Sequence, residues 1–168
     1  GYTGYLAFWV NQEIMDEVGI ESIDTKEDFM KYMEAVSKDG RFGYGGSWEK
    51  TYASNEIAQF VNMFGGDYFD WTKEENKEAI QFLHDLVANK ETPVDQIADK
   101  YDQMNPKIND GKYGCWFMWG LGTDYAKADM LGADKIHMAM VPDFSGNGER
   151  AIFTDSWNYV LNLSLIHI

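Results

Sequence analysis

The spacing of apolar residues switches along the chain between a strand pattern and a helix pattern. Residues 4–10 form a dense apolar and aromatic run that is typical of a buried strand. Residues 12–18 then carry the spacing of a short amphipathic helix that ends at Gly19. Thr25 is suited to cap a second helix, with Asp28 in its first turn and one apolar face made of Phe29, Met30, Met33 and Val36. The first forty residues therefore predict one strand and two helices.

The middle of the chain predicts a short strand and two longer helices. Residues 41–52, rich in Gly and aromatic residues, favour a strand that leads into a loop. Ser54 is expected to cap a helix that stops at Gly65-Gly66. Thr72 and Glu75 have the spacing of a capping box for the next helix. Its inward face is expected to consist of Ala79, Ile80, Leu83, Leu86 and Val87.

The last third predicts shorter elements. Residues 95–101 favour a helix whose continuation Pro106 would limit. The remaining expectations are strands over 113–119, 135–141 and 151–161, and a short helix that starts at Thr123 and reaches Met130. Helices that alternate with short buried strands predict an α/β domain.

Composition and charge exclude some classes of partner. The 168 residues carry a net charge of −14, which disfavours nucleic acids and anionic membrane surfaces. Six Trp, ten Tyr and ten Phe residues make up 15% of the chain. Roughly two-thirds of them are expected to pack in the core and its rim, and Trp and Tyr also serve as platforms for the flat faces of ligands.

Sequence signals for catalysis or metal binding are weak. The single cysteine, Cys115, excludes an internal disulfide and a cysteine-based metal cluster. His84 and His137 lack a partnered nucleophile motif and are interpreted as packed or surface imidazoles. Asp110-Gly111 resembles the end of a calcium loop, but Pro106 and Ile108 occupy its ligand positions. We therefore predict no catalytic residues, no metal and no cofactor.

Aromatic residues next to polar groups mark three chain reversals. Sugars present an apolar CH face that stacks on aromatic rings and hydroxyl groups that need polar partners. Loops at the carboxyl ends of strands are where open α/β sheets bind ligands. The candidate ligand-binding residues are Trp48, Glu49 and Tyr52 after the Gly-rich stretch, Trp116 and Trp119 at a strand end, and Asp155 with Trp157 in the last strand.

The order of several segments resembles family 1 of the bacterial extracellular solute-binding proteins, the maltose-binding-protein-like group. Residues 8–20, FWVNQEIMDEVGI, are similar to its aromatic-Asn-Lys-Asp-Leu-Leu stretch, and residues 24–29 to the start of the following helix. Phe64-Gly65-Gly66 resembles the family's Gly-Gly turn, and residues 79–87 its Ala-Leu-x-Phe-Leu-x-Asp-Leu-Val helix. Residues 109–112 before the Trp-rich strand, and Val141-Pro142, complete the resemblance.

This resemblance implies a type II periplasmic-binding-protein-like fold with two lobes hinged around a cleft. The chain would supply mainly the C-terminal α/β lobe over 11–149, with hinge-crossing strands at 1–10 and 150–162. Trp119 or Trp116 would be the stacking platform, Glu49 and Tyr52 loop contacts, and Trp157 a further contact. The protein would be a monomeric, extracytoplasmic component of an ABC importer, periplasmic or lipid-anchored, that delivers a carbohydrate to the permease subunits.

Residues 163–168, LSLIHI, resemble the translation of a transposase adapter end used in sequencing libraries, and we expect them to be an artefact. Alternative functions also remain at this stage. They are a receptor of the same fold for a peptide, a polyamine or a metal complex, a glycosidase, and a structural surface protein.

Overall fold

The computed structural model describes residues 2–119 and 134–158 of the chain. In chain order the elements are β1 (Tyr2–Asn11), α1 (Gln12–Val18), α2 (Lys26–Val36), β2 (Phe42–Gly45), α3 (Ala53–Met63), α4 (Glu74–Ala88), a 3₁₀ helix (Val94–Ala98), α5 (Tyr101–Asn109), β3 (Tyr113–Trp119), β4 (Ile136–Ala139) and β5 (Thr154–Trp157). The predicted helix from Thr123 to Met130 lies outside the described residues.

One open sheet organises the described elements, in the strand order β2-β3-β1-β4. Strand β2 runs parallel to β3, while β1 pairs antiparallel with both β3 and β4. Strand β5 pairs antiparallel with the first residues of β1, from Tyr2 to Tyr5. Since α3, α4 and α5 connect the parallel strands β2 and β3, the chain has the mixed α/β architecture that the sequence predicts.

The sheet separates two apolar clusters because successive strand residues point to opposite faces. In β1, Leu6, Phe8 and Val10 join the larger cluster, whereas Ala7 and Trp9 join the smaller one. The larger cluster also takes the inward faces of α1 to α4, and the smaller one takes Met104 and Ile108 of α5. The helices therefore cover both faces of the strands.

The first helix begins and ends as its sequence predicts, and the second begins as predicted after Thr25 but ends at Val36, with Ser37 as its C-cap instead of the expected end at Gly40. Asn11 accepts a hydrogen bond from the backbone N–H of Ile14, and Gly19 ends α1 in the left-handed conformation with φ 70°. Thr25 and Asp28 form a complete capping box at the start of α2. Cys115 is buried within β3 and makes no disulfide.

Three predictions about helix ends are wrong, and for Thr72 a neighbouring side chain explains the difference. Ser54 lies inside α3, which follows Tyr52 without a side-chain cap. The Thr72 hydroxyl donates to Asp70 at 2.6 Å instead of capping α4, which begins after Lys73. Pro106 lies within α5 instead of ending the helical region; the proline costs one helical hydrogen bond, but its carbonyl still accepts from Asp110.

Candidate functional site

The carboxyl ends of β2 and β3 define the edge at which the predicted site residues assemble. Because these two strands are parallel, the loop after β2 and the end of β3 lie at the same edge of the sheet. That loop carries Trp48, Glu49 and Tyr52, and β3 ends at Trp119. The structure therefore brings these loop residues and Trp119 to one edge of the fold.

Trp119 lies half-buried between the two apolar clusters and contacts both of them. Its ring centroid is 6.2 Å from that of Phe153, just before β5. Its indole also covers Gly4 of β1, where an added Cβ atom would lie 3.2 Å from Cε3. The Trp119 ring is thus fixed by its packing against Gly4 and Phe153, as a stacking platform requires.

Tyr101 is a residue that the sequence prediction missed. It is the first residue of α5, and its ring centroid lies 4.7 Å from that of Tyr52. Burial raises the pKa of the Tyr101 hydroxyl to about 12, and the side chains of Asn55 and Trp119 lie near enough to lower it in part. Tyr101 therefore joins Tyr52 to Trp119, and these three side chains form what we call the aromatic edge.

Two buried polar atoms on α5 have no hydrogen-bond partner among the described residues. They are the hydroxyl oxygen of Tyr101 and Oδ1 of Asn105. Residues four apart lie on the same face of a helix, so both atoms belong to one side of α5. A buried polar atom without a partner is costly, and a ligand hydroxyl can supply the missing bond. The signal in the sequence was only a Tyr and an Asn at helical spacing.

Trp48 and Glu49 are both tied into the loop that carries them. The indole N–H of Trp48 donates to Glu56 Oε2 at 2.9 Å, and its half-buried ring packs on the larger apolar cluster. The Glu49 carboxylate accepts from the backbone N–H of Thr51 at 2.9 Å, and this hydrogen bond lowers its pKa. Glu49 therefore stabilises the turn before α3 in addition to any contact with a ligand.

Asp155 lies opposite Gly4 in the pairing of β5 with β1. Directly opposed residues project to the same face of a sheet, so Asp155 shares the face on which Trp119 covers Gly4. The backbone of Trp157 pairs with Tyr2. The predicted role of the Trp157 side chain lies outside what the structure describes.

Trp116 does not fit the role of a stacking platform. It is 0% exposed and belongs to the smaller apolar cluster, in the middle of β3. Because side chains alternate along a strand, its ring points into the packing under α5. Of the two tryptophans predicted as alternatives, the structure presents Trp119 at the edge.

Of the three histidines, His84 and His137 lie on the surface, and His167 lies outside the described residues. His84 contacts Asp85 at 3.0 Å, and Nε2 of His137 lies 3.2 Å from the carbonyl of Asp134. Within residues 2–119 and 134–158, no three His, Cys, Asp or Glu side chains are arranged to hold a metal ion. In the same part of the chain, no helix has the length and apolar character of a membrane span.

The sequence profile of the family described as bacterial extracellular solute-binding protein matches residues 1–164. The chain belongs to this family, whose members are solute-binding receptors rather than enzymes. A comparison with curated protein sequences finds no match.

Solved structures with the same fold include several carbohydrate-bound receptors. A D-mannitol-bound solute-binding protein of Agrobacterium vitis S4 is 17% identical, with a TM-score of 0.78 over 91% of this chain and 40% of the other. Maltose-bound MalE3 of T. maritima is 16% identical, with a TM-score of 0.78 over 91% and 42%. A laminaribiose-bound sugar transporter protein of Arthrobacter chlorophenolicus A6 is 16% identical, with a TM-score of 0.77 over 90% and 40%.

These likenesses show the fold, which is that of the type II periplasmic binding proteins. The chain spans 40% to 42% of the length of these three proteins.

Proposed function

We propose that this chain is the C-terminal lobe of an extracytoplasmic receptor that binds a carbohydrate and delivers it to an ABC importer. Residues 11–149 would form the lobe, and the strands at 1–10 and 150–162 would cross the hinge to a second lobe. Family membership and the sugar-bound structures of the same fold support this proposal.

The aromatic edge is the observation that carries the carbohydrate assignment. Tyr52, Tyr101 and Trp119 offer ring surface for the apolar face of a sugar. The Tyr101 hydroxyl belongs to one of these rings, and Asn105 Oδ1 lies one helical turn further along α5. Both atoms lack partners among the described residues, and hydroxyl groups of a ligand can supply them. Such a combination of rings and unpaired polar atoms favours an oligosaccharide over an apolar compound.

A second candidate ligand is a polyamine, because the net charge of −14 attracts cations. In that case the carboxylates of Glu49 and Asp155 would be the main contacts and the rings would stabilise the cation from its sides. A peptide is the other non-sugar ligand that the fold could hold. A glycosidase of this fold would hydrolyse the sugar that it binds, and a structural surface protein would bind none.

A thermal-shift panel separates these candidates. The chain is heated with maltose, laminaribiose, a chitin oligosaccharide, mannitol, spermidine and a tripeptide in turn. A ligand at a hundred times its dissociation constant adds about 2.7 kcal/mol to the free energy of unfolding, which a melt detects. We expect stabilisation by one class of sugar without its hydrolysis. Stabilisation by spermidine or the tripeptide alone would contradict the carbohydrate proposal, and release of monosaccharide would indicate an enzyme.

The remaining parts of the proposal concern the whole receptor. It would act as a monomer outside the cytoplasm, in the periplasm or on a lipid anchor, and pass its ligand to the permease subunits. Association with the permease in the presence of the ligand, measured by co-purification, tests this step.

A further inference from the structure

Glu56 is an enclosed carboxyl group beneath the loop that carries Trp48. It lies in the first turn of α3, is 1% exposed and receives hydrogen bonds from three donors. A carboxyl group removed from water is costly unless such bonds compensate it. Glu56 lies between the core and the loop that carries Trp48, and packing alone does not explain why a carboxyl group is buried at this position.

The three donors come from the end of β2 and from the loop that follows it. The backbone N–H of Ser47 donates to Oε1 at 2.8 Å, and the indole N–H of Trp48 donates to Oε2 at 2.9 Å. The hydroxyl of Tyr44, whose ring lies 5.5 Å from that of Phe60 in the core, also bonds to Oε2. One carboxyl group thus joins the aromatic core to the indole of Trp48.

Gly46 has no side chain, and this leaves space for the hydrogen bond between Trp48 and Glu56. A Cβ atom at position 46 would lie 2.6 Å from Nε1 of Trp48 and 2.8 Å from Oε2 of Glu56. Both distances are shorter than a side chain tolerates, so every residue other than glycine would press the hydrogen-bonded pair apart.

The opposite side of the same loop is held by the segment around the 3₁₀ helix. The backbone N–H of Gly46 donates to Oε1 of Gln96 at 2.8 Å, and that of Trp48 donates to the carbonyl of Gln96 at 3.0 Å. The N–H of Glu49 donates to the carbonyl of Asp99 at 3.1 Å. With its backbone fixed from this side, the main freedom left to Trp48 is its side-chain rotation, which the bond to Glu56 removes.

We infer that Glu56 is a positioning residue of the proposed carbohydrate site, which holds the Trp48 indole in one orientation through its N–H group. The inference rests on the proposed function. It also specifies the contact that Trp48 can make: since the N–H is bonded inside the protein, the ring meets a ligand through its apolar surface and not as a hydrogen-bond donor. Trp48 therefore selects for an apolar sugar face.

Two matched variants distinguish a role of Glu56 in orienting Trp48 from a role in stabilising the fold. Glu56→Gln keeps the size of the side chain but replaces one acceptor oxygen by an NH₂ group, so that the bond to Trp48 or the bond to Ser47 is lost. Tyr44→Phe removes a different bond to the same carboxyl group and leaves the bond to Trp48 in place. If Glu56 only supports the fold, the two variants should behave alike.

The experiment is ¹⁵N NMR of the indole N–H groups of the 168-residue chain, with the Trp48 signal assigned through Trp48→Phe. We expect Glu56→Gln to move the Trp48 signal while the signal of the buried Trp116 stays, and Tyr44→Phe to leave both in place. In titrations with maltose and laminaribiose, we expect Glu56→Gln to weaken binding about tenfold and Tyr44→Phe less than about threefold.

If the amide oxygen of Glu56→Gln keeps the bond to Trp48, the Ser47 backbone signal moves instead, and Gly46→Ala then decides. A Trp48 indole signal that is unmoved in both Glu56→Gln and Gly46→Ala, or an affinity of Glu56→Gln equal to that of Tyr44→Phe, would overturn the inference. If Glu56→Gln does not fold, Gly46→Ala takes its place, because it separates the pair without changing either side chain; it must then move the Trp48 signal. If no sugar in the panel binds the wild-type chain, the proposed function and the binding role of Glu56 fail together, while the indole signal still decides whether Glu56 orients Trp48.

Discussion

Two groups of aromatic residues in this protein differ in the polar groups on their rings and in their position in the fold. The first is a phenylalanine cluster in the core, with ring centroids 5.3 to 6.5 Å apart: Phe29, Phe60, Phe82 and Phe144. The second is the aromatic edge of Tyr52, Tyr101 and Trp119, where the closest pair of centroids is 4.7 Å apart. Both are closely packed, so packing alone does not distinguish them.

The difference lies in the polar atoms. Phenylalanine has none, and the four rings of the core cluster are at most 8% exposed. Every ring of the aromatic edge carries an O–H or N–H group, and one buried hydroxyl, that of Tyr101, has no partner among the described residues. The buried hydroxyl of Tyr113, in the smaller apolar cluster, also has no partner among the described residues, so an unpaired atom does not by itself distinguish a site from a core. The comparison teaches that the aromatic edge is distinguished by polar groups on rings that are partly exposed beside a strand end.

The largest expected effect is a loss of stability when the apolar core is changed. Leu83 of α4 is 7% exposed within the larger apolar cluster, so Leu83→Ala should lower the free energy of unfolding by about 2–5 kcal/mol. The neighbouring Ile80 is 40% exposed, contrary to the predicted inward face, and Ile80→Ala should cost less than about 1 kcal/mol. Urea melts of both variants measure the difference; equal losses would contradict the assignment of the two faces of α4.

Trp119→Ala tests the role of the aromatic edge in ligand binding. Loss of the platform should weaken binding of the recognised sugar about tenfold, which calorimetric titration measures. Because Trp119 contacts both apolar clusters, some stability should also be lost, and Trp119→Phe serves as the control that keeps a ring in place. An unchanged affinity in a folded Trp119→Ala variant would remove Trp119 from the site.

Two tyrosine-to-phenylalanine variants, each of which removes one hydroxyl group, test the comparison further. The buried Tyr32 hydroxyl donates to the carbonyl of Gly114 at 3.0 Å, so Tyr32→Phe should cost about 1 kcal/mol of stability. The Tyr101 hydroxyl makes no hydrogen bond of good geometry among the described residues, although Asn55 and Trp119 lie near enough to lower its pKa, so Tyr101→Phe should cost less stability than Tyr32→Phe while it lowers sugar affinity. If Tyr101→Phe instead destabilises the protein as much as Tyr32→Phe, its hydroxyl has a structural partner and is not available to a ligand.

The smallest effect concerns Glu56, whose carboxyl group accepts hydrogen bonds from Tyr44 in the core and from Trp48 in the loop after β2. Burial raises its pKa, and the hydrogen bonds from Ser47, Tyr44 and Trp48 lower it only in part. The folded protein therefore holds this proton more tightly than the unfolded chain, and the resulting stabilisation is complete below the unfolded pKa of about 4.3. It is lost as the pH rises through the raised pKa. The stability of the wild type relative to Glu56→Gln should thus decrease with rising pH; an increase would show that the folded pKa is lowered.

Much of the fold could be predicted because its signals are local. Apolar spacing identified β1, α1, α2 and β3, and the cap at Thr25 satisfied backbone groups within its own turn. The errors came from competing neighbours. Asp70 binds the Thr72 hydroxyl that was expected to cap α4, and α5 accommodates Pro106 at the cost of one bond.

The candidate site was predicted only in part, because its residues come from separate elements. Trp119 and Tyr52 were named as candidates from aromatic residues at chain reversals, and the parallel pairing of β2 with β3 explains why both lie at one edge. The predicted helix ended at Tyr101, so the sequence did not place Tyr101 and Asn105 together on one helix face. Trp116 was proposed because it lies near the end of a strand, but β3 continues to Trp119 and the Trp116 ring is buried in the smaller cluster.

The most direct test of the carbohydrate proposal is an NMR titration of the indole N–H groups with maltose and laminaribiose, which detects even weak binding to this chain. The buried Trp116 and the half-exposed Trp71, which lies in the turn before α4, provide internal controls. We predict that a bound sugar shifts the Trp119 signal and leaves the signals of Trp116 and Trp71 unchanged. Shifts at Trp71 without a shift at Trp119, or no shift with either sugar or with a chitin oligosaccharide, would contradict carbohydrate binding at the aromatic edge.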